Sequence, residues 1–341
     1  MAKTIQQAFR DFHSDIKLYI EDHQTLIDKR DMFIEELKAY FAKLKADGGP
    51  KITFKHKNQG SYALGTGVKP LEGEDYDIDV MLLFDIEKGD YTAKEVKKWV
   101  YDALNKTTAR TVEILKPCVR VQYHKAGEIS FHIDLAVYAA KNGIYLSKKP
   151  KYKTDDEVWE VSQPERLKEL INSKFTDDEE RHQFRRTVAY MKRWKDIKFK
   201  GTKNGRPTGI AITALAYERF TPVVNKDLLT DTYKPNDLKA LRNFVASVIG
   251  QFNTFTYDIA VHLPVEPFND LFSKMTAEQK KNLKAVFESQ LGSLDEAIAE
   301  VDPNKASKIL RKVFGDDFPE IPMEQTAENK ARAFVSSPDQ A

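Results

Sequence analysis

The chain has 341 residues, 41% hydrophobic and 31% charged, which is more than one hydrophobic core usually serves, so two lobes are expected. Its formal net charge of +2 gives no wholesale attraction to polyanionic duplexes, and no apolar run approaches the ~20 residues that span a bilayer. The single cysteine, Cys118, excludes an internal disulfide and a structural zinc cluster of several thiolates, and reads as a small buried hydrophobe.

In chain order, the opening MAKTIQQAFRDFHSDIKLYI lacks an apolar signal core and a small-residue cleavage site, which predicts a cytoplasmic address. Apolar residues then recur at helical spacing (Phe9, Ile16, Tyr19, Ile20, followed by Phe33, Ile34, Leu37, Phe41 and Leu44), so one or two long helices open the fold until DGGP at 47–50 stops them. Strand-like text follows in KITFKHK, YDIDVMLLFDI, CVRVQY and ISFHIDLAVYAA, with a helix near 92–105 between them. Past residue 160 the text turns helical, with helices expected near 163–174, 177–198, 208–220, 236–251, 276–290 and 303–314. Three starts carry the Ser/Thr-x-x-Glu/Gln capping pattern: Ser162 with Glu165, Thr176 with Glu179, and Thr276 with Gln279. From about 325 the chain is polar and small-residued and reads as a mobile tail. The expected division is therefore 1–160 for a catalytic lobe with the N-terminal helices, 161–324 for a helical lobe, and 325–341 for the tail. Basic stretches at 55–57, at 148–153 and from Lys192 to Arg206 read as solvated surface.

The chemistry concentrates between residues 58 and 80, NQGSYALGTGVKPLEGEDYDIDV. Side chains alternate along a strand, so Asp77 and Asp79 share one face while Ile78 and Val80 enter the core. Carboxylates on Cα atoms about 6 to 7 Å apart can grip two divalent cations about 3.5 to 4 Å from each other, which removes their mutual repulsion. In ISFHIDLAVY the residues Ile129, Phe131, Ile133, Leu135 and Val137 make one apolar face and leave Asp134 on the other, with Ser130 and His132. Asp134 then either completes a metal-binding trio or pairs with a basic neighbour such as Arg120. Gly60 permits close backbone approach to a ligand, and Ser61 at the start of a short helix can cap it or donate to a phosphate.

Gly60-Ser61, Asp77-x-Asp79 and Asp134 together resemble the signature of the polymerase-beta-like nucleotidyltransferases. QGSYALGT with DYDIDV is similar to the bacterial cGAS/DncV-like enzymes, the CD-NTases of CBASS anti-phage signalling. YMKRWK, RPTGIAITALAYER and ASKILRKVFGDDFP extend the resemblance to the second lobe, over about residues 55–320. It implies an α+β fold: a polymerase-beta-like lobe with a mixed sheet, flanking helices and a long N-terminal helix, plus a helical second lobe, with the active site in the cleft between them. It further implies two Mg²⁺ ions, with Mn²⁺ as a substitute, on Asp77, Asp79 and Asp134. Gln59, Gly60, Ser61, Lys192 and Thr208 would be nucleotide-binding residues, Thr208 doubling as a helix N-cap. Tyr62 and Tyr233 are both candidates for base stacking.

The implied activity is the synthesis of a cyclic di- or trinucleotide from NTPs, ATP and GTP foremost, feeding a cyclic-nucleotide-activated effector. E1/E2-like or HORMA-type operon partners are implied as well, with Ala341 as a conjugation point. No cysteine-rich insertion or broad basic platform is present, so a nucleic-acid activator is not expected. Two other readings remain: a template-free nucleotidyltransferase acting on RNA, protein or a small molecule, and a non-catalytic nucleotide-binding regulator.

Overall fold

The computed structural model describes residues 3–18, 24–107, 110–123, 131–148, 158–202, 204–227 and 232–323. Ser130, the greater part of the 148–153 basic stretch, the tail from 325 and Ala341 lie outside the described residues.

The chain forms two units, one of Leu18–Ile171 with Leu263–Asn269, the other of Met1–Lys17, Asn172–His262 and Asp270–Ala341. Helix α1 (Ile5–Ile16) belongs to the second unit, which departs from the expectation that the N-terminal helices stay with the sheet. The reason is aromatic burial: Phe9 and Phe12 are fully buried, and their rings meet Tyr190, Phe314 and Phe318 at centroid distances of 5.0–6.1 Å.

In the sheet unit, α2 (Gln24–Ala46) places Phe33, Ile34, Leu37 and Phe41 on its buried stripe. Past its end, Gly48 (φ +85°) takes the left-handed turn that a glycine allows, as DGGP predicted. Then come β1 (Phe54–Asn58), α3 (Gly60–Ala63), β2 (Tyr76–Phe84), α4 (Ala93–Leu104), β3 (Arg110–Ile114), β4 (Val119–Tyr123), β5 (Phe131–Ala139), β6 (Tyr145–Lys148), β7 (Val158–Val161) and α5 (Pro164–Ser173). Thr92 starts α4 with a full capping box to Glu95. The seven strands make one mixed sheet, β1-β2-β5-β4-β3, with β6 joining the far half of β5 and β7 pairing with β6. Among the described strands of the sheet only β2 and β5 pair in parallel.

One face of that sheet carries Ile78, Val80, Leu82, Ile133, Leu135 and Val137 into a core closed by α2 and α4. The opposite face is divided along its length. Its far end holds a small apolar cluster of Met81, Ala136 and Tyr138, and its near end holds Asp77, Asp79, His132 and Asp134. Strand alternation alone produces this partition.

The helical unit contains α1, α6 (Asp178–Lys198), α7 (Gly209–Arg219), the hairpin β8 (Val224–Asp227) with β9 (Thr232–Pro235), α8 (Asp237–Ile249), α9 (Ala277–Ala299) and α10 (Pro303–Phe314). Thr276 and Gln279 form the expected capping box, but α6 is capped by Asp177 rather than Thr176, because the Asp177 carboxylate accepts from two backbone amides, of Glu179 and Glu180. Helix α9 runs past Gly292 to Ala299 because Leu294 and Ala297 extend its buried stripe. Among the described residues no helix is long and apolar enough to cross a membrane.

Candidate active site

The parallel register of β2 and β5 sets the site. Asp77 lies opposite His132 and Asp79 opposite Asp134, so two strands far apart in sequence put three carboxylates and an imidazole on one patch of one face. Asp77, His132 and Asp134 each offer a ligand atom, all within 4.8 Å of one another. Asp79 turns toward the preceding loop, and a Cβ built on Gly60 would stand 2.0 Å from its Oδ2. Gly60 has φ +66°, so both its backbone conformation and its contact with Asp79 require glycine.

Each of two carboxylates has a basic partner. Arg120 on β4 lies opposite Asp134 on β5 and donates twice to it, Nε to Oδ1 and Nη2 to Oδ2, both at 2.7 Å. The hydrogen bond to Asp134 raises the guanidinium pKa above its ordinary value. Asp134 thus pairs with Arg120, the second of the two alternatives left open by the sequence, while lying on the same face as Asp77 and Asp79. His132 Nε2 lies 3.1 Å from Asp77 Oδ1. Burial pulls the imidazole pKa down, but the hydrogen bond and charge of Asp77 outweigh it and hold the pKa above the usual histidine value. Cys118, buried as expected, has its thiol pKa pushed up by burial first and by neighbouring Asp134 second.

The loop is anchored from below. The Gln59 amide donates to the Asp79 carbonyl at 2.9 Å, and its side-chain Oε1 accepts from the Tyr138 hydroxyl at 2.9 Å. Gln59 precedes α3 without capping it through its side chain, so its visible role is to fix the turn that presents Gly60 and Ser61. Tyr62 is half-buried against the core beside Asp77 and Asp79, and burial raises its phenol pKa. Tyr233 is exposed and lies in the helical unit, within hydrogen-bonding reach of Asp177.

Lys192 and Thr208 both lie in the helical unit, where Lys192 reaches Gly209, the residue after Thr208. Thr208 caps α7, its hydroxyl accepting from the Ala211 amide at 3.3 Å. A Cβ on Gly209 would meet Lys192 Cε at 3.5 Å and Nζ at 3.9 Å. Lys192 is only 7% exposed, so it is not the surface lysine its residue type alone would suggest.

Sequence reasoning found the three aspartates by strand alternation. It missed the roles of His132 and Tyr138, although both share the face of Asp134, because hydrogen-bond partners across strands depend on register. The donor set fits a hard divalent cation: carboxylate oxygens dominate, Cys118 is buried, and the missing Cβ of Gly60 makes room for the Asp79 carboxylate.

Residues 54–138 match the family model described as "Cyclic GMP-AMP synthase DncV-like, nucleotidyltransferase domain". A curated relative, "Cyclic GMP-AMP synthase" of Escherichia albertii, is 27% identical over 184 residues, a stretch that covers 50% of this chain and spans 38% of that relative's length. Among solved structures, Vibrio cholerae DncV in complex with the linear intermediate 5' pppA(3',5')pG superposes with a TM-score of 0.69 at 15% identity, covering 94% of this chain and 97% of that one. Escherichia coli DncV bound to 3'-deoxy GTP gives 0.68 at 15% identity, covering 89% and 93%. These likenesses show the α+β nucleotidyltransferase fold.

Proposed function

We propose that the protein, whose residues 54–138 match the DncV-like nucleotidyltransferase domain, joins nucleoside triphosphates, ATP and GTP foremost, into a cyclic di- or trinucleotide. The observation that carries this reading is the opposition of Asp79 and Asp134 across parallel strands, with Asp77 beside them and Gly60 packed on Asp79.

Asp77, Asp79 and Asp134 would hold two divalent ions, Mg²⁺ or Mn²⁺, whose charge lowers the pKa of a ribose hydroxyl and offsets the leaving pyrophosphate. Gly60 and Ser61, fixed by the Tyr138–Gln59 hydrogen bond, would receive the donor triphosphate where backbone and hydroxyl donors are close. Lys192, beside the Thr208-capped start of α7, would supply a cation and a helix N-terminus to phosphate oxygens. The ribose oxygen attacks the α-phosphorus, a P–O bond forms, the α–β bond breaks, pyrophosphate leaves and the proton passes to solvent. Repetition within the bound product closes the ring. Positioning and charge stabilisation carry most of such a reaction.

The product would serve as a second messenger in cytoplasmic anti-phage signalling, acting on a cyclic-nucleotide-activated effector, with E1/E2-like or HORMA-type proteins as operon partners. This part rests on likeness to the CD-NTases. The synthase name of the Escherichia albertii relative supports the product class.

The test is incubation of purified protein with the four NTPs and Mg²⁺. The expected result is pyrophosphate release and a phosphatase-resistant product, both absent in Asp77→Ala and Asp79→Ala. Wild-type protein that releases no pyrophosphate with Mg²⁺ or Mn²⁺ across pH 6 to 9 overturns the reading.

A further inference from the structure

Arg120 has an acidic residue on each side. In the β4–β5 register it faces Asp134, and in the β3–β4 register it faces Glu113. Residues directly opposed in an antiparallel pair point to the same face, with Cα atoms about 4.5 to 5.5 Å apart, so Glu113, Arg120 and Asp134 make a row across three strands. Both bonds of the guanidinium go to Asp134. Glu113 is exposed and makes no hydrogen bond or ion pair with any described residue. The Arg120 side chain is 31% exposed and that of Asp134 only 12%, so of the two it is the arginine that has room to turn.

We propose that Arg120 is the resting counter-ion of Asp134 and is handed across the sheet to Glu113 when a divalent cation takes the carboxylate, which makes Arg120 and Glu113 determinants of metal affinity. The proposal rests on reading Asp77, Asp79 and Asp134 as the metal-binding set. A guanidinium holding both oxygens of Asp134 takes one lone-pair site on each, so it competes with a metal that would grip both oxygens, and its positive charge opposes a dication at short range. Asp134 does not depend on Arg120 alone for its orientation, because it is mostly buried on a central strand beside Cys118. Removing the arginine therefore frees the ligand more than it disorders it. Glu113 favours the metal-bound state by receiving the displaced charge, although it is not itself a ligand.

The experiment is titration of Mn²⁺ followed by electron paramagnetic resonance of the free ion, with calorimetry of Mg²⁺ as a second probe and no nucleotide present. Arg120→Met is expected to bind Mn²⁺ about tenfold more tightly than wild type, a difference of about 1.4 kcal/mol. Arg120→Lys, which keeps the charge but loses the two-pronged grip, should show a smaller gain and serves if the methionine variant fails to fold. Glu113→Gln should weaken binding about three- to fivefold, the range of an exposed ion pair, and should have no effect when Arg120 is already methionine. That last null separates a hand-over from a through-space effect of the Glu113 charge, which would persist without the arginine. Saturable wild-type binding that is lost in Asp79→Asn, together with unchanged or weaker binding in Arg120→Met, overturns the hand-over and leaves the metal site standing. Wild-type binding that is absent, or indifferent to Asp79→Asn, overturns the metal reading and the hand-over with it.

Discussion

Asp79 on β2 and Asp134 on β5 stand directly opposite each other in a parallel register, and no apolar packing requirement explains two carboxylates at that position. Asparagine at 79 keeps the shape of the side chain and removes one negative charge from a face that also carries Asp77 and Asp134. Asp79→Asn should therefore leave the unfolding midpoint unchanged or slightly raised while reducing pyrophosphate release by at least about 10³-fold, on the scale of removing a principal electrostatic group from a reaction centre. Thermal unfolding and a coupled pyrophosphate assay on the same preparation check both halves.

Gly60 and Gly73 separate backbone strain from site geometry. Both have positive φ, +66° and +84°, so alanine at either should cost about 1 to 2 kcal/mol. A Cβ at Gly73 meets nothing within 4 Å, whereas one at Gly60 collides with Asp79. Gly60→Ala should abolish product formation, and Gly73→Ala should keep it at a similar loss of stability. Activity retained in Gly60→Ala would mean that Asp79 is not held where the reaction needs it.

Tyr138 is buried, and its hydroxyl reaches Gln59. Tyr138→Phe preserves the ring packing with Met81 and Ala136 and deletes the hydroxyl's neutral hydrogen bonds with Gln59 and Ser162, each worth about 0.5 to 1.5 kcal/mol. If the bond to Gln59 sets the Gly60–Ser61 turn, KM for NTP should rise up to about tenfold while kcat changes less. A fall in kcat at unchanged KM would place the role of Tyr138 elsewhere.

The difference between what the sequence did and did not disclose follows from the range of the forces involved. Alternation along YDIDVMLLF and FHIDLAVYA is local, so the side of the sheet on which Asp77, Asp79 and Asp134 lie was legible, and so was the Thr276–Gln279 capping box. Register is not local. Nothing within β2 states that Asp79 will meet Asp134 rather than His132, and nothing within β4 states that Arg120 will lie between Glu113 and Asp134. Strand β3, RTVEI, escaped notice because five residues give too short a period. The placement of α1 depended on aromatic partners at Tyr190, Phe314 and Phe318, which no reading of residues 1–17 could supply.

The helical unit owes part of its stability to one buried carboxylate. Asp237 is fully buried and accepts from Arg186 Nε at 2.7 Å, Arg186 Nη2 at 2.9 Å, Gln183 at 3.1 Å and the Tyr190 hydroxyl at 3.0 Å. Burial alone would raise its pKa, but the Arg186 hydrogen bonds and charge hold it below the usual carboxylate value. Asp237→Ala leaves the Arg186 guanidinium buried with only Glu179 as a partner and should cost about 3 to 5 kcal/mol. Denaturant unfolding followed by circular dichroism measures it, and a loss below about 1 kcal/mol would show that the network relaxes around the gap.

His13 makes this unit acid-sensitive well above the range in which carboxylates titrate. Burial first, and the Arg186 charge second, bring its pKa down to about 4, with Lys17 and His182 pushing the same way and Asp237 opposing them. Its unfolded-state pKa is about 6.5, so between those values the unfolded chain binds a proton that the folded chain refuses. The contribution is complete above about pH 6.5 and is lost as pH falls toward about 4, reaching at most about 2 kcal/mol by pH 5. Asp237 titrates with the opposite history: its depressed pKa makes its contribution present above about 3.9 and lost below that, outside the pH 7.5 to 5 window. Stability measured by urea unfolding should therefore fall between pH 7.5 and 5 in wild type and fall less, by about that amount, in His13→Asn. Parallel pH profiles for the two proteins would mean that His13 is protonated in the folded state and that its site, against the edge of the Tyr190 ring, is wetter than its packing implies.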